Sequence, residues 1–202
     1  MILLIGGPSA TGKTTLAETL SRRFGLQHID LDLFYVAFRE VVPPESAPVI
    51  LYLQEEAFWA GPVNDLVRCY LELQEFLAPA LESVLASLIA RQRRALLEGT
   101  WLLPALAAQR SFKDVDSGDV RALFLFEPDA TEMERRRRDR QDPWSRVFAE
   151  PVMQNIAAMR HAHGLEIKRQ AEVLGLPVLQ CRPFETLEAR AMAALGLGSD
   201  TQ

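Results

Sequence analysis

The sequence predicts an α/β fold in which one open parallel sheet of five short strands is covered by helices on both faces, giving three layers. Three observations carry this. Short apolar runs alternate with longer stretches of helical periodicity along the 202 residues. A glycine-rich turn joins the first apolar run directly to the first helical one. Asp30, Asp32 and Glu98 follow apolar runs, at the carboxyl ends of parallel strands where ligands bind in such sheets.

Met1 to Ile5 reads as a buried strand, and Leu16, Leu20 and Phe24 recur at helical spacing before Gly25, a residue suited to a helix C-terminus. Leu26 to Asp32 reads as the second strand. The proline-rich stretch from Glu40 to Pro62 reads as irregular, with a short helix around Leu51 to Trp59. A long amphipathic helix opens at Asn64 or Asp65 and carries Leu66, Tyr70, Leu73, Leu77, Leu81, Val84 and Leu88 on one stripe. Pro79 predicts a kink or a split in it.

Ala95 to Leu97, ending in Glu98-Gly99, is the third strand. A short helix over Leu102 to Gln109 and a polar loop over Lys113 to Asp119 follow. Val120 to Phe126 is the fourth strand and Thr131 to Arg140 a very basic helix, broken by Asp142-Pro143. A second long helix spans about Pro151 to Leu174, with Val152, Ile156, Met159, His163, Ile167, Ala171 and Leu174 on one stripe. Leu176 to Gln180 is the fifth strand, Thr186 to Leu195 the last helix, and Gly196 to Gln202 a frayed end.

The turn after the first strand is the most specific signal. Gly7-Pro8-Ser9-Ala10-Thr11-Gly12-Lys13-Thr14 fits G-x-x-x-x-G-K-[ST] at every fixed position. Glycines let the backbone come close to phosphates, successive N–H groups form a concave nest, and the helix N-terminus adds partial positive charge. The cradle runs on to Thr15. Lys13 is expected to reach the β- and γ-phosphates of ATP, and the Thr14 hydroxyl to coordinate a Mg2+ ion that bridges them.

Composition narrows the class. The net charge of −5 argues against a protein that coats nucleic acid. The apolar run ends by Gly6, which predicts no secretory leader. No stretch reads as the roughly 20 apolar residues of a membrane span. Cys69 and Cys181 stand far apart, as reduced packed thiols of a cytoplasmic protein. His161 and His163 point to different sides of a helix and suggest no zinc site. N-K-x-D, a D-x-x-G after a strand and LSGGQ are all missing, which excludes guanine-specific switches and transporter ATPases.

Asp32-Leu33-Phe34-Tyr35 resembles the D-x-F-Y segment of the uridine kinase and pantothenate kinase group. The resemblance implies that Asp32 is the base facing the acceptor hydroxyl, with Asp30 the neighbouring alternative. Leu97-Glu98-Gly99-Thr100-Trp101-Leu102-Leu103-Pro104 resembles the strand-three E-G segment of the same group. It is closer still to the I-E-G-x-H-L-x-P segment of 2-phosphoglycerate kinase-like proteins, with Trp101 in place of histidine. Glu98 is then expected beside metal or acceptor, and Thr14, Asp32 and Glu98 are the expected metal ligands. The implied whole is a single P-loop kinase domain over 1–202, nucleoside/nucleotide kinase-like, with an acceptor-binding helical region at 40–92 and a lid at 129–150. The resemblance implies transfer of the ATP γ-phosphate to a nucleoside, nucleotide or similar small metabolite. The alternatives are a 2-phosphoglycerate kinase-like or other metabolite kinase, and an ATP-binding regulator without catalysis.

In nucleotide-kinase-like proteins, arginines of the segment after strand four close over the phosphates. Arg136 and Arg140, spaced i, i+4, are expected to face ATP together. Arg135 and Arg138 form another pair. The family spacing E-R-x-x-x-R starts at Arg135 and puts Asp139 at its second arginine. Arg146 lies beyond the break, and Arg182, after the last strand, is expected under the adenine or its ribose.

Overall fold

The computed structural model describes residues 1–43, 45, 53, 55–139 and 148–198. Five strands form one parallel sheet: β1 (Ile2–Gly6), β2 (Gln27–Asp30), β3 (Ala95–Gly99), β6 (Val120–Phe126) and β7 (Val178–Gln180). Their spatial order is β2-β3-β1-β6-β7. The register aligns Gly6 with Gly99 and Phe124, and Asp30 with Glu98, so the functional carboxyl ends lie level along one edge.

Alternation along β1 divides the core. Leu3 and Ile5 face α1 (Lys13–Phe24) and the C-terminal α8 (Leu187–Ala194), meeting Leu16, Leu20 and Ala191. Ile2 and Leu4 face the opposite layer, built by the long α4 (Val63–Ala90) and α7 (Glu150–Val173), with Leu77, Leu81 and Ile167. Both faces of β1 are therefore apolar, which is why it reads as an unbroken hydrophobic run.

Several elements differ from expectation. The second strand stops at Asp30, and Asp32 instead opens α2 (Asp32–Val41). An aspartate at the first turn suits the positive end of a helix, and Asp30 Oδ1 caps it by accepting the Asp32 N–H at 2.8 Å. Lys113 to Asp119 is not all loop: β4 (Ser111–Phe112) and β5 (Val115–Asp116) form a small antiparallel hairpin, turned by Lys113 and Asp114 at positive φ. Phe112 anchors it, fully buried.

Pro79 does not split α4. Proline lacks the N–H that would bond the Glu75 carbonyl, but Pro79 stands on the exposed side and the helix continues through it. In its last turns the buried stripe shifts to Leu85 and Ala86. By length and composition α4 is also apolar enough to cross a membrane, contrary to the reading of the sequence. In this fold its apolar face packs under the sheet and against α7. Of the expected helix near Leu51 to Trp59, α3 (Glu56–Trp59) is described. A short α5 (Pro104–Ala107) and α6 (Ala130–Asp139) complete the set.

Candidate functional site

The glycine loop occupies residues 7–12 between β1 and α1, and two of its glycines are dictated by geometry. Gly7 has φ +129°, and a Cβ there would sit 2.2 Å from the Leu125 carbonyl oxygen. Gly12, φ +84°, caps α1. The loop closes on itself around Pro8, whose carbonyl accepts both the Thr11 hydroxyl and the Lys13 ammonium at 2.9 Å. Lys13 is only 6 % exposed, so its charge is directed into the loop. Ser9 and Ala10 are half-buried, while Thr14 and Thr15 are open to solvent.

The loop is the partition between two cavities. On one side, a cavity of about 550 Å³ is walled by Ala10, Gly12, Thr15, Arg136 and Phe184. On the other, a cavity of about 370 Å³ is lined by Lys13, Thr14, Asp32, Glu98, Arg39 and Arg160 together with aromatic rings. Tyr35 stacks on Trp101 with centroids 5.0 Å apart, and Tyr70 lies on the same indole at 5.0 Å. The Trp101 indole N–H has no hydrogen-bond partner among the described residues.

Asp32 opens onto this second cavity. Burial among its walls is the main influence and raises its pKa above the ordinary carboxylate value. The Lys13 charge opposes this, Asp30 reinforces it, and the nearby Thr100 main chain lowers it. Glu98 is 2 % exposed and likewise raised, first by burial, against the pull of Lys13 and of the nearby Thr14 hydroxyl. Thr14 and Glu98 therefore present oxygen donors side by side at the mouth of the loop. That hard-oxygen set fits Mg2+, which keeps several waters and takes its remaining ligands from phosphates. No cluster of three or more His, Cys, Asp or Glu suited to holding a metal occurs among the described residues, so protein alone makes no closed metal cage there.

The arginines are arranged differently from the reading of the sequence. Arg136 points inward. Its Nη2 donates to Glu127 at 2.9 Å, its Nε to Glu132 at 3.0 Å and its Nη1 to the Ala10 carbonyl at 3.0 Å. Its face lies 4.4 Å from the Phe184 ring centroid. Arg182 does not turn toward either cavity but forks onto Glu127, with Nε at 2.9 Å and Nη2 at 2.8 Å. Arg135 pairs with Glu132 and Asp139, and Arg138 with Glu134 and Glu150, all on the solvent face. Arg140 and Arg146 lie outside the described residues.

Glu127, Arg160, Arg39 and Phe184 escape sequence reasoning. Glu127 follows an apolar strand as Glu98 does, and that position was the available signal. Burial works to raise its pKa, but hydrogen bonds from Arg182, the Asp129 N–H and Cys181, with the charge of Arg136, outweigh it and hold the carboxyl below its usual range. Of the histidines, His161 meets the Pro128 carbonyl and His163 is buried against Gln74. Cys181 is buried and Cys69 half-buried, both free thiols.

Residues 1–165 match a family described as an AAA domain. The chain is similar to a cytidylate kinase of Xanthobacter autotrophicus, 31 % identical over 151 residues that cover 70 % of this chain and 68 % of that protein. A cytidylate kinase of Methylocella silvestris is 54 % identical over 37 residues, 18 % of this chain and 17 % of that one. Among solved structures, a sugar kinase from a Janibacter species shares the fold with a TM-score of 0.50 at 17 % identity, covering 98 % of this chain and 95 % of that chain.

Proposed function

The chain belongs to the AAA-domain family of P-loop proteins, as a nucleotide kinase-like phosphotransferase, and from that premise we propose that it moves the γ-phosphate of ATP to a small acceptor seated beside Asp32. The observation that carries this reading is the phosphate loop as shared wall of two cavities. A two-substrate transfer needs donor and acceptor on opposite sides of one polyphosphate cradle, with the reacting atoms in line. We take 1–202 as a single catalytic domain, its acceptor region at 40–92 and its lid at 129–150.

In this reading the main-chain N–H groups from Gly7 to Thr15 hold the polyphosphate. Lys13 leaves the Pro8 carbonyl to counter the β- and γ-phosphate charge. Asp32 accepts the proton of an acceptor hydroxyl, and its raised pKa brings it nearer the working pH of a general base. Thr14 and Glu98 would hold Mg2+, which would supply Lewis-acid neutralisation of charge on the transferring group. Arg136 braces the loop, and Arg140 is the lid arginine proposed to reach the phosphates. Arg182 acts on the nucleotide side through Glu127.

The acceptor cavity favours a ring-bearing, anionic metabolite. Its stacked aromatics offer a flat wall, and Arg39 and Arg160 supply positive charge. The acceptors to test are cytidine monophosphate, whose phosphate oxygen needs no base, and hydroxyl acceptors such as nucleosides and phosphoglycerate, which do.

The experiment incubates purified protein with ATP, Mg2+ and each acceptor, and follows ADP and phosphorylated product. The expected result is product with at least one acceptor, abolished in Lys13→Ala through loss of nucleotide binding and, for a hydroxyl acceptor, in Asp32→Asn with binding retained. ATP binding without transfer to any acceptor would favour a regulatory nucleotide-binding role. Undiminished ATP affinity in folded Lys13→Ala would defeat the site itself.

A further inference from the structure

We propose that Glu127 is a positioning residue for nucleotide binding: it holds Arg136 so that one guanidinium both braces the Ala10 carbonyl and forms, with Phe184, the base-side wall. The inference rests on the reading of the loop as a nucleotide site.

Glu127 directly follows β6, and its side chain is fully shut off from solvent. It lines neither cavity. Both carboxylate oxygens are nevertheless committed. Arg182 forks across them at 2.9 and 2.8 Å, and Arg136 adds a bond to Oε2 at 2.9 Å. The Cys181 thiol donates at 3.3 Å and the Asp129 N–H at 3.1 Å. Such a carboxylate is a fixed point, and its bonds to two arginines are charge-assisted.

A guanidinium is planar and its donors are rigidly forked. Once Glu127 takes Nη2 and Glu132 takes Nε, the direction of Nη1 and the orientation of the flat face follow. Nη1 then meets the Ala10 carbonyl at 3.0 Å. Ala10 needs that support. It is not glycine, yet it sits at φ +68°, a conformation that persists only where its surroundings over-determine it. The flat face meets Phe184 at 4.4 Å. Phe184 in turn lies over Gly12, where a Cβ would stand 3.0 Å from its ring. One buried carboxylate thereby sets a backbone carbonyl of the phosphate loop and the cation–aromatic wall of the larger cavity.

The charge of Glu127 is the essential part. A glutamine there has one oxygen for two arginines and no charge to hold them together, so Arg136 is released to rotate. The test measures binding of ATP and of inorganic tripolyphosphate to the full chain by calorimetry, in the wild type, Glu127→Gln and Phe184→Leu. Tripolyphosphate reads the loop alone, and the ratio of the two affinities reads the base side. Glu127→Gln is expected to weaken ATP about tenfold or more, because small misplacement of a positioning group carries penalties of this order. Tripolyphosphate should weaken less, so the ratio falls. Phe184→Leu is expected to lower the ratio with tripolyphosphate unchanged.

A wild-type ratio in folded Glu127→Gln overturns the inference. If Glu127→Gln does not fold, Arg182→Gln removes the fork from the more exposed partner. The ratio must then fall in the same direction, and an unchanged ratio there overturns the inference equally. A wild-type chain that binds neither ligand overturns the nucleotide-site reading, and the inference with it. Binding of both ligands that ignores Glu127 overturns the inference alone.

Discussion

The His163 imidazole and the Gln74 side-chain amide meet at 3.0 Å between the two longest helices, both sealed from solvent. The Gln74 NH2 donates onward to the Thr100 carbonyl. The Thr100 main chain in turn lies close enough to Asp32 to lower its pKa. A buried polar line thus connects α7, through α4, to Thr100 just past β3, beside the proposed base. Because the Gln74 NH2 is committed to Thr100, its Oε1 is the acceptor, which assigns the proton to His163 Nε2.

Burial, with the Lys13 charge, pushes the His163 pKa down to about 3 from the ordinary 6.5. The unfolded chain therefore binds a proton that the folded chain refuses between those values. Stability from this site is complete above the unfolded pKa and falls as pH drops through the window. His163→Phe leaves the Gln74 oxygen unpaired and is expected to lose about 1–3 kcal/mol in mildly alkaline buffer. Urea titrations at stepped pH should show the gap to wild type narrowing on acidification. A pH-independent gap would sink this account.

For Asp32 the sign is opposite. Its folded pKa is raised, so the folded chain holds the proton more tightly, and stability falls as pH rises from the unfolded value of 3.8 through the folded one. Asp32→Asn should be more stable than wild type at neutral pH while losing roughly 10²- to 10⁴-fold in turnover with a hydroxyl acceptor. Thermal melts and initial rates on the same preparation check both halves. A variant that is less stable and fully active contradicts the assignment.

Glu98 stands beside Thr14 at the mouth of the loop. Chelation of Mg2+ is expected to abolish turnover. Glu98→Gln should raise the Mg2+ concentration needed for half-maximal rate by about tenfold, the order seen when a metal's supporting group is removed. Rates measured across a Mg2+ series decide it, and a superimposable curve removes Glu98 from the metal.

Gly164 on α7 lies against the phosphate loop, where an added Cβ would stand 2.7 Å from Pro8 Cγ. Pro8 carries the carbonyl that holds Lys13 and Thr11. Gly164→Ala should therefore cost about 1–3 kcal/mol of overpacking and also raise the KM for ATP. Chemical denaturation with ATP-dependence of rate tests the pair. A stability loss with an unchanged KM would show that the loop yields without consequence.

The elements that were legible share one property: their signals are local. The loop from Gly7 to Thr14 fits its pattern residue by residue. Strands β1, β3 and β6 are continuous apolar runs because both faces of a central parallel strand are covered. Boundaries failed where the environment decided. Asp32 became a helix start once Asp30 offered a cap, and Lys113-Asp114 became a hairpin turn once Phe112 had a core to enter.

By itself, then, the sequence determined a strand, a phosphate-shaped glycine turn and a helix, with acidic residues at neighbouring strand ends. Those follow from dihedral freedom and short-range periodicity. Only the tertiary structure decided what the arginines do. Arg136 and Ala10 are 126 residues apart, and Arg182 and Glu127 are 55 apart. Nothing local tells an arginine on a basic helix whether it faces water or a buried carboxylate. That choice depends on which side of the helix the sheet covers, because a guanidinium is driven inward only where a fixed negative charge offsets the loss of its hydration.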